Sequence, residues 1–193
     1  DPYTGNVLAL ANYPTYNPGD LTQDDTQVDE KTKRKLIERK DLAISETYEP
    51  GSVMKPFTVS AAVDSGLVTP ETTYQDAGPA YYSGKRVDNW DGKHLGTLNI
   101  IQLLQKSNNI GAAWVGSLVG SKRLYDYLTN FGFGSKTNID LEGEDSGILR
   151  DYLGWTDIDL AAASFGQGIS ATPLQVLNGF NAIANGGYLL EPK

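Results

Sequence analysis

Ser52 and Lys55, three residues apart in the run Tyr48-Glu49-Pro50-Gly51-Ser52-Val53-Met54-Lys55-Pro56-Phe57, are the pair of side chains best suited to covalent chemistry. Residues at this spacing on a helix share a face and can touch, so the lysine amine can reach the serine hydroxyl. A serine needs such a base to become a nucleophile. Pro50-Gly51 breaks any preceding structure, and Phe57, Ala61, Ala62 and Leu67 read as the buried face of a helix that starts near Ser52. There the unpaired N–H groups and the positive end of the helix dipole favour an oxygen gaining negative charge. The plainer reading makes Ser52 an N-cap and Lys55 a solvated lysine. A cation in the first turn opposes the dipole, however, and local conflict of that kind is what a functional constraint leaves behind.

A second cluster, Ser107-Asn108-Asn109, follows 55 residues after Ser52. A serine hydroxyl can relay a proton to a leaving amine, and an asparagine amide offers a donor and an acceptor to a peptide bond. Both roles belong to acyl transfer. The alternative is a polar turn between two helices, with Ser107 and Asn109 capping their neighbours. His94, the one histidine, could also serve a serine as base, but Trp90-Asp91-Gly92-Lys93-His94-Leu95-Gly96 reads as a polar turn.

Composition narrows the classes of function. The chain has 193 residues, of which 39% are hydrophobic, enough for the core of one domain or of part of one. Sixteen basic against 24 acidic side chains give a net charge of -8, which disfavours nucleic acid and anionic lipid as partners. With no cysteine and a single histidine, disulfides, thiolate sites and histidine zinc clusters are not expected, and no cofactor motif is present. There is no apolar run of membrane-spanning length and no signal peptide, and Asp1-Pro2-Tyr3-Thr4-Gly5-Asn6 opens the chain as a cut domain would.

The elements that must position these residues are mostly helical. A buried strand is expected over 6–12, a loop over 13–29, and an exposed, densely charged helix over 31–44. Short strands and a hairpin about Ser83-Gly84 follow between Tyr74 and Trp90. Helices are expected over 98–105, 110–119, 121–130 with Ser121 as cap, and 160–165. The last helix should open at Thr172-Pro173 and stop at Asn185-Gly186-Gly187.

Taken together, Tyr48-Glu49-Pro50-Gly51-Ser52-Val53-Met54-Lys55 and Ser107-Asn108-Asn109 resemble the active-site motifs of the penicillin-binding proteins, the serine D,D-transpeptidases. Residues 1–9 resemble the family's opening strand. Phe131-Gly132-Phe133-Gly134, Leu141-Glu142-Gly143-Glu144, Phe165-Gly166-Gln167-Gly168 and Ala184-Asn185-Gly186-Gly187 resemble its later landmarks, and Tyr-Glu-Pro-Gly looks like class B, the monofunctional enzymes of division or elongation. The resemblance implies an α/β fold, an antiparallel sheet flanked by helices, helix-rich in the part present. It implies Ser52 as the nucleophile toward D-Ala-D-Ala, Lys55 as its base, Ser107 as proton shuttle, Asn109 as holder of the acyl donor's amide, and the Ser52 N–H as half of an oxyanion hole. Implied partners are peptidoglycan stem peptides, β-lactams, a glycosyltransferase and other cell-wall proteins. The implied location is the extracytoplasmic face of a bacterial membrane, with the anchor outside this chain.

The third family motif, Lys-Thr/Ser-Gly, is not met, and Lys136-Thr137-Asn138 departs from it in its last residue. Residues 1–193 are therefore expected to be a partial transpeptidase domain lacking that strand, weakly active on their own. A β-lactam sensor domain and a catalytically silent cell-wall scaffold remain open beside the transpeptidase.

Overall fold

The structure, a computed structural model, describes residues 1–20, 22–24, 26–31, 35 and 37–193. After a short helix α1 (Leu42–Ser45) comes a 3-10 turn, Gly51–Met54, that runs directly into α2 (Lys55–Asp64). Strands β1 (Thr73–Asp76), β2 (Ala80–Tyr82), β3 (Lys85–Val87) and β4 (Gly96–Asn99) lead to α3 (Ile100–Lys106), α4 (Asn109–Val119) and α5 (Ser121–Asn130). Helices α6 (Asp157–Ser164) and α7 (Pro173–Ala184) complete the order. No helix among the described residues is long and apolar enough to cross a membrane.

The strands form two antiparallel pairs rather than one sheet. β1 pairs β4 with Asp76 opposite Gly96, and β2 pairs β3 about the two-residue turn Ser83-Gly84. Both turn residues have positive φ, 47° and 76°, the geometry whose twist matches a tight hairpin. α7 begins and ends where its sequence signals lie: Thr172 accepts from the Gln175 N–H, Gln175 caps back onto the Thr172 N–H, and Pro173 takes the first helical position.

The main core is built on α2 and α4 with contributions from α3, α5, α6 and α7. Phe57 of α2 is fully buried, with the rings of Phe131, Phe133 and Phe180 at 5.0, 5.1 and 4.8 Å between centroids. These separations suit edge and tilted aromatic packing. α4 crosses the centre, packed on α2, α5 and α6. Its small residues allow that approach: a Cβ on Gly116 would lie 1.8 Å from Ser164 Oγ of α6.

Several expectations need correction. Residues 6–12 form no strand: Leu8 is 81% exposed, and only Val7 packs inward, against Ile44, Ile139 and Leu174. Gly5 and Val7 instead exchange backbone bonds with Lys193 (3.0 and 2.8 Å). The helix expected over 31–44 falls partly on residues 32–34 and 36, outside the described residues. In the rest only Leu42–Ser45 is helical, because Asp41 caps it by accepting from the Ala43 N–H, while Lys35 bridges Val28. Ser121 is the first residue of α5 and not its cap; Gly120 occupies that position. Ser52 lies within a 3-10 turn, so the α-helix proper starts at Lys55.

Candidate active site

The 3-10 turn sets the first contact. At three residues per turn, side chains i and i+3 eclipse, and Lys55 Nζ lies 3.1 Å from Ser52 Oγ. The turn is anchored from the segment ahead of α7. The Gly51 N–H donates to the Gly166 carbonyl (2.9 Å), Glu49 Oε1 accepts from the Gly168 N–H (2.8 Å), and Tyr48 and Ala171 exchange both backbone bonds. Tyr48-Glu49-Pro50-Gly51 and Gly166-Gln167-Gly168 thus interlock. Gly166 has φ +83°, and a Cβ there would meet the Gly51 carbonyl oxygen at 2.1 Å.

Lys55 is buried, at 1% exposure, among neutral groups. Its three ammonium protons match three acceptors: Ser52 Oγ, Ser107 Oγ at 3.0 Å and the Ser107 carbonyl at 2.5 Å. Burial penalises the cation and lowers its pKa from 10.5 to about 8. About a tenth of the amine is then neutral at pH 7, far more than for an ordinary lysine, and a general base acts through that form.

Ser107 reaches Lys55 because α3 ends on it in the left-handed conformation (φ 51°, ψ 45°), a geometry that costs a non-glycine residue about 1–3 kcal/mol. Asn108 then caps α4, its Oδ1 accepting from the Gly111 N–H at 2.7 Å. Asn109 is the first residue of α4. Its N–H donates to Asn89 Oδ1 and its Nδ2 to the Asp88 carbonyl, both at 2.9 Å. Ser52, Lys55 and Ser107 therefore form one contact set, while Asn109 is fixed beside it from the β3–β4 connection.

The sequence reading missed Asp76. This carboxylate is fully buried at the end of β1 and accepts from Asn108 Nδ2 (2.8 Å), Asn89 Nδ2, the Leu95 N–H and His94 Nδ1 (3.1 Å). Burial alone would raise its pKa. The bonds from the Leu95 N–H, His94 and Asn108 outweigh that and hold it below the usual carboxylate range. A signal was present: strand alternation puts Tyr74 and Asp76 on one face, so a carboxylate stands at a core position. His94, read as part of a polar turn, belongs to this cluster and contacts neither Ser52 nor Lys55 in the observed bonding.

Lys136-Thr137-Asn138 is occupied structurally. The Thr137 N–H and hydroxyl and the Asn138 N–H all donate to the Glu144 carboxylate (2.7, 2.5 and 3.2 Å). The surface clefts beside Lys136 and Asn178, and between Asp64 and Ile183, include none of the four candidate residues.

A buried lysine between two serine hydroxyls now stands on motifs in the expected order, and the sequence model of the family described as "Penicillin binding protein transpeptidase domain" matches residues 1–193. The chain belongs to this family. Among curated relatives, stage V sporulation protein D of Bacillus subtilis is 33% identical over 193 residues, covering 100% of this chain and 28% of that protein. The peptidoglycan D,D-transpeptidase FtsI of Escherichia coli is 34% identical over 187 residues, covering 97% of this chain and 30% of that protein. The chain thus spans about a third of the length of these relatives. Among solved structures, the apo transpeptidase domain of penicillin-binding protein 3 from Burkholderia pseudomallei superposes with a TM-score of 0.83 at 30% identity, over 99% of this chain and 50% of that one. Penicillin-binding protein 3 of Mycobacterium tuberculosis in complex with aztreonam gives 0.75 at 33% identity, over 81% of this chain and 35% of that one. This penicillin-binding-protein transpeptidase chain is an α/β structure of helices and small antiparallel strand pairs, and it superposes on their transpeptidase domains.

Proposed function

We propose that this chain carries the acylation machinery of a class B D,D-transpeptidase, with Ser52 as nucleophile, Lys55 as base, Ser107 as proton relay and Asn109 as a holder of the acyl donor. The observation that carries the reading is the buried Lys55 amine, lowered to about pKa 8 and within bonding distance of Ser52 Oγ and both Ser107 oxygens. With the amine neutral, two of its N–H bonds donate to Ser107 and its lone pair faces the Ser52 hydroxyl. Ser52 Oγ attacks the carbonyl between the two D-Ala residues as its proton passes to Nζ. Collapse of the tetrahedral intermediate breaks the C–N bond, and the leaving D-Ala amine takes a proton from Lys55 through Ser107 Oγ. An amine of a second stem peptide then displaces the ester and frees Ser52. The Ser52 N–H, in the first turn of its helix, is the oxyanion donor this chain contributes.

The whole reaction belongs to the full-length protein, on the extracytoplasmic face of a bacterial membrane, beside a glycosyltransferase and other cell-wall proteins. Its substrates are stem peptides, and β-lactams acylate the same serine. The full-length protein is expected to form a covalent adduct with a fluorescent penicillin, and Ser52→Ala to abolish it. Labelling that survives the substitution would refute the assignment, and an intact protein that never labels would point to a silent scaffold.

A further inference from the structure

We propose that Asp76 is a positioning residue for acyl transfer, its buried carboxylate fixing the Ser107-Asn108-Asn109 turn against Lys55. The proposal rests on Ser52 as the nucleophile and adds a residue that touches neither substrate nor the reacting atoms.

Every group converging on this carboxylate is a donor. Asn89 Nδ2 lies 3.3 Å from Oδ1 and 3.1 Å from Oδ2, His94 Nδ1 is 3.1 Å from Oδ1, and the Leu95 N–H and Asn108 Nδ2 are 3.0 and 2.8 Å from Oδ2. An ionised carboxylate has acceptor sites for all four and no proton of its own. The β1–β4 pairing, with Asp76 opposite Gly96, uses backbone alone and asks for no carboxylate. The side chain is therefore explained by what it holds.

It holds both flanks of the turn. Asn108 has one amide end on Asp76 and the other on the Gly111 N–H, so its orientation is single-valued. Asn89, with its nitrogen shared between Asp76 and the Lys93 carbonyl (2.8 Å), turns its oxygen toward the Asn109 N–H. Ser107, in the left-handed conformation next to this clamp, presents hydroxyl and carbonyl together to Lys55. The N–H groups of Ser107 and Asn108 also close the end of α3 on the Leu104 and Leu103 carbonyls (3.1 and 3.0 Å), so release of the clamp removes one of the contacts that offset the strained conformation, and Ser107 shifts away from the amine.

The test uses the full-length protein with Asp76→Asn, an isosteric change that puts an NH2 among donors. Acylation by a fluorescent penicillin, corrected for folded fraction by thermal unfolding, is expected to fall about 10- to 100-fold, the cost of a displacement on the order of 1 Å in a reacting site. The loss is expected in the maximal acylation rate at saturating drug. Asp76→Asn with Asn108→Asp returns a donor–acceptor pair across the same contact and keeps a good N-cap; it is expected to recover part of the rate, because the Leu95 N–H on the same oxygen still faces an NH2. A crystal structure of Asp76→Asn is expected to show Ser107 moved away from Lys55 Nζ. An unchanged rate, a loss that only tracks the folded fraction, a swap that recovers nothing, or Ser107 unmoved would overturn the proposal. If the unsubstituted protein is not acylated at Ser52, the reading of Ser52 fails, and the position of Ser107 in the Asp76→Asn structure still decides the role of Asp76.

Discussion

Lys55, the proposed base, illustrates how burial lowers the pKa of an ordinary ammonium group. Its contacts are all neutral oxygens, so desolvation is uncompensated and the pKa falls to about 8. The reactive form is the neutral amine, which increases with pH until the group is fully deprotonated. The acylation rate constant is therefore expected to rise about tenfold per unit below pH 8 and to level off above it. Stopped-flow acylation across pH 6 to 10 measures this, and a profile flat from pH 6 would remove Lys55 as the base. The contact of Ser52 with Lys55 was readable from spacing, because i and i+3 meet in α and 3-10 geometry alike, while its chemical reading needed the second motif at Ser107. Strand alternation marked Asp76 as a carboxylate at a core position, but its partners were not readable, since Asn89 and Asn108 lie 13 and 32 residues away.

At the scale of elements, the turn that carries Ser52 is tied to the strap that follows α6. Gly166→Ala would add a Cβ 2.1 Å from the Gly51 oxygen at a φ of +83°, whereas Gly186→Ala, at φ +88°, meets nothing within 4 Å. The first is expected to cost about 2–4 kcal/mol, left-handed strain plus overpacking, and the second about 1–2 kcal/mol from strain alone. Denaturant unfolding separates them, and only Gly166→Ala is expected to slow acylation. Equal costs would show that the Gly51 contact is irrelevant. Elements whose ends are written locally were legible, as α7 was from Thr172-Pro173 and Asn185-Gly186-Gly187. The apolar run 6–12 misled because a strand needs a partner, and hydrophobicity does not name one. The α-helix α2 starts at Lys55, and the Gly51–Met54 turn before it is 3-10, its Gly51 N–H tied to the Gly166 carbonyl by a tertiary bond that local sequence does not announce.

Across the whole molecule, α4 joins the two halves of the site. Its first residue, Asn109, borders Ser107, and its middle rests on α6, whose last residue accepts the Thr58 hydroxyl through the Ser164 carbonyl (2.9 Å) and leads into the Gly166 strap. The contact of Gly116 with Ser164 is the narrowest point of that packing, with a Cβ placed 1.8 Å from Oγ. Gly116→Ala is expected to destabilise by about 1–3 kcal/mol. Adding Ser164→Ala, which gives up only the bond to the Leu160 carbonyl, should return about 1 kcal/mol as a favourable coupling. A double-mutant cycle by chemical denaturation measures it, and strict additivity would contradict the tight crossing. At this scale, composition narrowed the classes: a net charge of -8 disfavoured nucleic acid, and no cysteine with one histidine disfavoured thiolate sites, histidine zinc clusters and an ordinary Ser-His-Asp triad. The helix crossing that unites the motifs was beyond it, because small residues in α4 permit close approach without stating to which helix.

The most direct measurement is the site of the penicillin adduct. Tandem mass spectrometry of peptides from the penicillin-treated full-length protein is expected to find a single penicilloyl ester, on Ser52. An adduct on any other residue, or an unmodified Ser52 after saturating exposure, would contradict the account.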